Sequence, residues 1–395
     1  MQFVILLSLL LLFGNKEVLG FPSSQHATSH LSNEIHRGFQ RATEKRLLFD
    51  PLTAPIEVTG AHSFIPPDFA AGDQRGPCPG LNSLANHGYI ARNGITGLAE
   101  ATAAINEVWG MGLDLGPILA IMGTVFVGDP LSLSPSFSIG GETSAVSNLL
   151  FNGLGLLGTP RGLIGSHNIL ESDSSITRND LYVTGDAWTL DLSKFESWYA
   201  ASNSTVGDYN MDVMAEVAAT KFQETVETNP NFYFGPFTGM VARNAGFAFA
   251  GRLFANHSVE NQEGVLIKDA NVFQRIGIDD LLIMACIGGN TGTVNSFTGV
   301  DLANLTGGVL NAATLLENNN LMCFVLEAVK TLAPSSLSTL FSILAVPLQL
   351  VTSTIGSAVL SLSCPAFKDL TIGEQGFAEG IQAMFPGAAK SGSAF

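Results

Sequence analysis

The chain has little positive charge. Of its 395 residues only 18 are Lys or Arg, against 34 Asp or Glu, which gives a formal net charge of −16 at pH 7. Proteins that bind nucleic acid normally present a basic surface to the phosphates, so nucleic acid is excluded as an expected partner. The composition is 46% hydrophobic and only 13% charged. It excludes general disorder and suffices for a large buried core, in one large domain or in two ordinary ones.

Cysteine is also scarce. The four cysteines are Cys78, Cys286, Cys323 and Cys364, and no two of them form a Cys-x-x-Cys pair. This spacing excludes a structural zinc site of the usual kind. Cys286 follows the apolar run 281–285, which favours a buried thiol.

The N-terminal residues predict export from the cell. An apolar run within residues 1–20 ends in Val-Leu-Gly, as in a secretory signal peptide, although no Lys or Arg precedes the run. Residues 21–60 are polar and weakly periodic, so we expect an N-terminal arm or a propeptide there. Sequons at Asn203, Asn256 and Asn304 are consistent with a secreted glycoprotein.

The apolar periodicity is helical, and strict alternation is rare. We predict helices over residues 95–108, 113–127, 211–226, 241–254, 309–332 and 337–360. Residues 331–367 contain no charged residue, which raises a transmembrane helix as an alternative. Pro347 and frequent Ser and Thr interrupt that stretch, so a buried hairpin is the preferred interpretation and no membrane association is expected.

Cys78 lies between Pro77 and Pro79, just before a predicted helix. Proline fixes the backbone on either side, and the helix N-terminus favours a thiolate. The amides of Gly80 and Leu81 can point back at the sulfur and tune its electron density. The chemistry predicted is a metal-bound thiolate, and the alternative is a buried, inert cysteine.

A second pattern is acidic. Glu171 and Asp173 alternate with Ser172, so both carboxylates can face one hard cation in an extended turn. The Ser172 carbonyl and the Ser175 hydroxyl would complete an oxygen-rich site for Mg²⁺, or alternatively for Mn²⁺. The competing interpretation is an exposed, solvated acidic turn.

Together, residues 75–89 and 166–178 resemble the two signatures of the fungal haem-thiolate peroxidases, the family of chloroperoxidase and the unspecific peroxygenases. The resemblance implies that Cys78 is the axial ligand of haem b iron and that the cation lies beside a haem propionate. The other residues of the signature expected at the haem are Pro79, Gly80, Leu81, Asn82 and His87. The resemblance to the family also implies a Cys323–Cys364 disulfide, which would stabilise the fold by about 4 kcal/mol in the chain-entropy model.

The sequence departs from the family at the distal side. The family uses a helical glutamate above the iron to move the peroxide proton. At that place this chain has Arg243 and Asn244, neither of which accepts a proton. We expect Arg243 to polarise peroxide, with a surface helix cation as the alternative. Either another acid then supplies the base, with Glu216, Glu260 and Glu263 as the candidates, or the enzyme works slowly with peroxide.

The resulting interpretation is a mainly α protein with few or no strands. We expect a single large helical haem-thiolate peroxidase domain over residues 61–365, followed by a C-terminal tail over 366–395. The resemblance implies an enzyme that uses hydrogen peroxide to oxidise or oxygenate apolar or aromatic organic substrates. The alternatives are a catalytically weak binder of haem or hydrophobic ligands, and an oxidase dedicated to one secondary-metabolite pathway.

Overall fold

The structure, a computed structural model, describes most of the chain between residues 57 and 300 and a C-terminal segment. The described residues are 57–109, 116–129, 135–147, 159–201, 211–235, 238–253, 287–300, 371–372 and 375–391. Within them the fold is rich in helix and the strands are short, which confirms the mainly α expectation for this part of the chain. The helices are α1 Pro79–Asn86, α2 Leu98–Trp109, α3 Gly116–Val127, α4 Leu181–Thr184, α5 Leu192–Ala200, α6 Met211–Thr228, α7 Asn244–Leu253, α8 Phe377–Met384 and α9 Pro386–Ser391.

The strands have two or three residues each. They are β1 Ile95–Gly97, β2 Ser136–Ser138, β3 Tyr233–Phe234, β4 Gly288–Gly289, β5 Thr298–Gly299, β6 Thr371–Ile372 and β7 Gln375–Gly376. β1 pairs with β2, β4 lies between β3 and β5, and β6 pairs with β7, all antiparallel. Residues 95–97 were expected to begin a helix, but they pair with β2 instead, and α2 begins at Leu98.

Helix α1 begins directly after the cysteine. Cys78 is the N-cap residue, with extended backbone at φ −84° and ψ 106°, and Pro79 takes the first helical position. Proline suits that position because its missing N–H would have no partner inside the helix. The helix ends at Asn86 and turns its Leu84 and Ala85 into the core.

A first core forms where α1, α2 and α3 meet β2. Its buried residues are Leu84, Ala85, Ile90, Ala101, Ala104, Ile105, Val108, Ala120, Val127, Phe137, Ile139 and Leu163. Partly buried side chains pack against this core, Cys78 among them. The cysteine therefore lies at the edge of a large apolar cluster.

A second core joins α5, α6 and α7. Trp198, Met214, Val217 and Phe247 are among its buried residues. α6 ends at Thr228, as the following Asn-Pro pair predicts. Lys221 of α6 is buried. Its Nζ donates to the carboxylate of Glu224 at 2.9 Å, and this partner allows the charge to lie inside.

The C-terminal segment contributes to the packing. Ile381, Phe385 and Ala388 are fully buried, and the rings of Phe385 and Tyr233 lie 5.8 Å apart. A Cβ at Gly387 would lie 1.9 Å from a backbone oxygen of residue 231, so α9 meets the β3 region very closely. Residues 375–391 pack into the domain, whereas the sequence placed them in a tail. The domain boundaries themselves stay predictions.

Several expectations lie outside the described residues. They concern the signal peptide, most of the N-terminal arm, the three sequons, the predicted helices 309–332 and 337–360, Glu260, Glu263 and the cysteines at 286, 323 and 364. Within the described part of the chain, no helix has the length and apolar character needed to cross a membrane.

Candidate functional site: a cysteine and a buried acidic turn

Cys78 is a free cysteine whose sulfur faces the start of α1. Burial raises the pKa of its thiol. Hydrogen bonds from the amides of Leu81 and Gly80, together with the positive charge of Arg178, act in the opposite direction and favour the thiolate. The two amides are those that the sequence indicated. Burial is the largest of these influences, so the thiolate would need the charge of a bound metal ion, and the two amides are donors that suit a metal-bound sulfur.

The space beside the cysteine is shaped by an indole. A Cβ at Gly80 would lie 2.7 Å from Cη2 of Trp109, so only glycine lets the ring approach α1 this closely. The side chains of Leu81, Phe126 and Leu170 are also partly buried against the same core. The sulfur thus has polar donors from the backbone and apolar side chains around it.

Asn82 braces the loop that carries the cysteine. Its side-chain amide donates to the Gly76 carbonyl at 2.9 Å, and its Oδ1 accepts from the Gly76 amide at 3.0 Å. Gly76 itself lies against the Ile139 carbonyl, where a Cβ would be only 2.1 Å away. Both bonds join the residues just before the cysteine to the helix just after it. Asn82 therefore orients Cys78.

His87 lies at the other end of α1 from Cys78, about 12 Å along an eight-residue helix. Its Nδ1 is 2.8 Å from the His62 carbonyl, and the Nδ1 of His62 is 3.0 Å from the His87 carbonyl. These reciprocal bonds tie the segment before the cysteine loop to the end of α1. The role of His87 in haem binding stays a prediction.

The acidic turn is buried. Glu171 is 9% exposed and Asp173 is 1% exposed, so the exposed, solvated turn considered from sequence is wrong. His167 lies between the two acids, with Nδ1 2.6 Å from Glu171 Oε2 and Nε2 3.8 Å from Asp173 Oδ1. Burial lowers the pKa of His167, but Asp173 and Glu171 outweigh it and raise that pKa to about 9.

Two residues that sequence reasoning missed complete this turn. The Ser174 amide, at a residue with φ +63°, donates to Asp180 Oδ1 at 2.9 Å. The Asn229 side-chain amide donates to Asp173 Oδ2 at 3.1 Å and to Asp180 Oδ2 at 3.2 Å. Burial, and then the charge of Asp180, raise the pKa of Asp173 well above its usual value. Asp180 and Asn229 are 49 positions apart, so only the fold reveals their contact.

A carboxylate oxygen of the turn lacks a hydrogen bond among the described residues and could accept a ligand. Asp173 Oδ1 is buried and has no hydrogen-bond partner in the described part of the chain. The Ser172 hydroxyl points at the Asp173 carbonyl, 3.4 Å away, and Ser175 is half-buried. Across the described ranges, no three or more His, Cys, Asp or Glu side chains are arranged to hold a metal ion. A cation here would depend on backbone and hydroxyl oxygens as well.

The family model described as "Peroxidase, family 2" matches residues 62–275, which include both the cysteine loop and the acidic turn. The chain belongs to this family. It is 50% identical to the aromatic peroxidase fscJ of Fusarium equiseti over 94% of this chain and 95% of that protein. The dothistromin biosynthesis peroxidase dotB of Dothistroma septosporum is 36% identical over 88% of this chain and 91% of its own. An aromatic peroxygenase of Coprinellus radians is 32% identical over 52% of this chain and 76% of its own.

Membership of peroxidase family 2 makes the protein an oxidoreductase that uses peroxide, as the resemblance implied. The family is that of the haem-thiolate peroxidases, so haem is the implied cofactor. The alternative of a weak haem or ligand binder is not favoured by these relatives.

Arg243 and Asn244 are buried where the π-helical turn Thr238–Arg243 leads into α7, so the surface-cation alternative for Arg243 is wrong. The guanidinium donates to the Ser174 carbonyl at 3.1 Å and to the Ser174 hydroxyl at 2.7 Å. It also donates to the Ala218 carbonyl and to Asn244 Oδ1, and it lies 4.2 Å from the ring centroid of Phe247. These contacts hold the acidic turn. The expected action of Arg243 and Asn244 on peroxide stays a prediction.

Burial lowers the pKa of Arg243 to about 9, with Asp180 acting against the shift. The guanidinium therefore stays largely charged at neutral pH and balances the buried acids of the turn.

Glu216, one of the three acids considered as a peroxide base, is exposed on α6. It lines a shallow pocket between α5 and α6 together with Ser197, Thr220 and Lys221. Cys78 packs against the other core and is not among the residues that line this pocket. The structure therefore gives no support to Glu216 as the peroxide base, and the other two acids lie outside the described residues.

Proposed function

We propose that this family member is a secreted haem-thiolate peroxygenase in which Cys78 binds the iron of haem b and hydrogen peroxide oxidises or oxygenates an apolar or aromatic substrate. The observation that carries the assignment is the sulfur of Cys78 at the N-terminus of α1, with the amides of Gly80 and Leu81 directed at it. When bound through a thiolate, haem supplies peroxide cleavage and a strong oxidant for organic molecules.

The chain's own residues fit that group in charge and in shape. The two amides and the nearby guanidinium of Arg178 favour an anionic sulfur, which is the form that binds iron. Trp109, Leu81 and Leu170 pack against the same apolar core as Cys78, so the cysteine lies in an apolar part of the fold. An apolar surrounding also suits a substrate of the same character, such as the aromatic compounds for which two of the relatives are named.

For the cation, we propose Mg²⁺, with Mn²⁺ as the alternative, held by the carboxylates of Glu171 and Asp173, the Ser172 carbonyl and the Ser175 hydroxyl. Two features of the turn support it. Asp173 Oδ1 is buried without a hydrogen-bond partner among the described residues, and Asp173 lies close to a second buried acid, Asp180. A bound divalent cation would neutralise this concentration of negative charge.

The test is peroxide-dependent turnover by the full-length protein. We expect oxidation of a simple aromatic donor by hydrogen peroxide, and we expect Cys78→Ala to abolish it. Cys286→Ala, which also removes one thiol, is the matched control and should leave the activity unchanged. A preparation that contains haem but does not oxidise the donor would contradict the proposal and identify a haem carrier instead. Metal analysis of the wild type and of Asp173→Asn tests the cation, which the variant should lose.

A further inference from the structure

Arg178 is a buried cation that the described residues leave without an acidic partner. It is 8% exposed, and none of the ion pairs in the described part of the chain includes it. Its Nη1 donates to the neighbouring Thr177 hydroxyl at 2.6 Å. Its Nε is buried and has no hydrogen-bond partner among the described residues. A buried charge normally has an opposite charge beside it, because the desolvation cost is otherwise too large.

The backbone fixes where this guanidinium lies. The Arg178 carbonyl accepts a hydrogen bond from Lys194 Nζ at 3.0 Å, and the next side chain, Asn179, donates to Asp191 Oδ2 at 3.0 Å. Both partners belong to the beginning of α5. The positive charge of Arg178 is among the influences that lower the pKa of Cys78, so the guanidinium lies within electrostatic range of the sulfur.

The vacant Nε of Arg178 suits a carboxylate. A guanidinium binds a carboxylate through two parallel hydrogen bonds. The sulfur of Cys78 is a single acceptor that already receives hydrogen bonds from two amides, so it cannot bind the guanidinium in this bidentate way. Haem b carries two carboxylates on one edge of the ring. Near the acids of the turn, such a carboxylate would be repelled unless a cation lies between them. Arg178 belongs to the same chain segment as the acidic turn, and its guanidinium offers the propionate carboxylate a direct positive partner.

We propose that Arg178 binds a propionate carboxylate of the porphyrin, and so orients the acidic edge of the cofactor relative to Cys78. This inference rests on the proposed haem-thiolate function. It assigns to Arg178 a role in cofactor binding that the sequence analysis did not give it.

The experiment compares two porphyrins that differ only in the carboxylates. Full-length protein made in haem-limited culture is titrated, in excess Mg²⁺, with haemin or with haemin dimethyl ester, and binding is followed by the Soret band. The variants are Arg178→Gln and Arg178→Lys. Arg161→Gln is the matched control, because Arg161 is exposed, lies in the same described range 159–201 as Arg178, and undergoes the same change of charge.

We expect the wild type and Arg161→Gln to bind haemin at least about tenfold more tightly than the ester, as one charge-assisted hydrogen-bonded pair implies. Arg178→Gln should lose most of that preference, through weaker haemin binding with ester binding unchanged. Arg178→Lys should keep part of the preference for haemin, because lysine retains the charge but cannot form the two parallel hydrogen bonds of a guanidinium.

Three results would overturn the inference. One is an undiminished preference for haemin in Arg178→Gln, and another is equal binding of haemin and ester by the wild type. The third is a parallel loss of affinity for both porphyrins in both Arg178 variants, which would assign Arg178 a purely structural role. The ferrous carbon monoxide spectrum of the wild type separates the two levels of failure. A thiolate-type spectrum with any of these results refutes only the role of Arg178, whereas no such spectrum refutes the proposed function and this inference with it.

Discussion

Replacing Gly80 with alanine should weaken the protein at the cysteine loop. The new Cβ would lie 2.7 Å from Trp109 Cη2 and 3.1 Å from Cζ2, so the indole must move or α1 must shift. Overpacking of this kind costs about 1–3 kcal/mol. The higher helix propensity of alanine returns at most about 1 kcal/mol, and less near a helix end. We therefore expect Gly80→Ala to lower the free energy of unfolding by about 1–2 kcal/mol.

Gly246→Ala is the matched control for this prediction. Gly246 is exposed in α7, and a Cβ there has no neighbouring heavy atom within 4 Å. The same substitution should therefore stabilise the protein, by about 0.5–1 kcal/mol. Urea unfolding followed by far-UV circular dichroism measures both changes. A Gly80→Ala variant as stable as Gly246→Ala would refute the packing of Trp109 against α1.

Two further perturbations test the acidic turn and the helix that follows it. Asp180→Asn should lower the free energy of unfolding by about 1–3 kcal/mol, as measured by urea unfolding. The reason is that the new side-chain NH₂ group must face another donor, either the Ser174 N–H or the Asn229 side-chain amide. An unchanged unfolding midpoint would contradict the hydrogen bonds at Asp180. Asp191 is the N-cap of α5, and bonds led by the Ser193 hydroxyl lower its pKa. Its stabilising effect is therefore complete above a pH of about 4 and fades as the pH falls further. Asp191→Ala should cost about 1 kcal/mol at pH 7 and progressively less below about pH 4, and Asp191→Asn, still an N-cap, should cost less than Asp191→Ala at pH 7 and lose that penalty over the same pH range. An alanine penalty that stays constant down to pH 3 would argue against the charged cap.

Local chemistry made the cysteine loop predictable. Two prolines and a following apolar pattern specify an extended residue and a helix start, and α1 begins at Pro79 accordingly. The end of α6 before Asn229-Pro230 is equally local, because proline disfavours helix in the residue before it. Both features depend on neighbours within a few positions of the chain.

Long-range pairing was not predictable in the same way. Residues 95–97 fit the apolar spacing of a helix, but they form β1 because Thr96 meets Phe137 across the sheet. The start of α7 shows a similar limit, since the π-helical turn before it shifts the expected beginning from residue 241 to Asn244. Apolar periodicity cannot show which partner a segment will find.

The candidate residues of the site come from the sequence, whereas the contacts that support them are visible only in the fold. Cys78, Glu171 and Asp173 follow from short motifs, but Asp180 and Asn229 join the turn only through tertiary contacts. One signal was present in the sequence. Thr177-Arg178-Asn179-Asp180 continues the acidic block with further charged and polar residues, and such a run in a chain with only 13% charged residues could have suggested a buried network.

The central claim is that Cys78, as a thiolate, holds the iron of a haem. The most direct measurement is the absorption spectrum of the ferrous carbon monoxide complex of the purified full-length protein. A thiolate-ligated haem should give a strongly red-shifted Soret band, and Cys78→Ala should abolish it while Cys286→Ala retains it. Protein that contains no porphyrin, or a red-shifted band that survives in Cys78→Ala, would contradict the account.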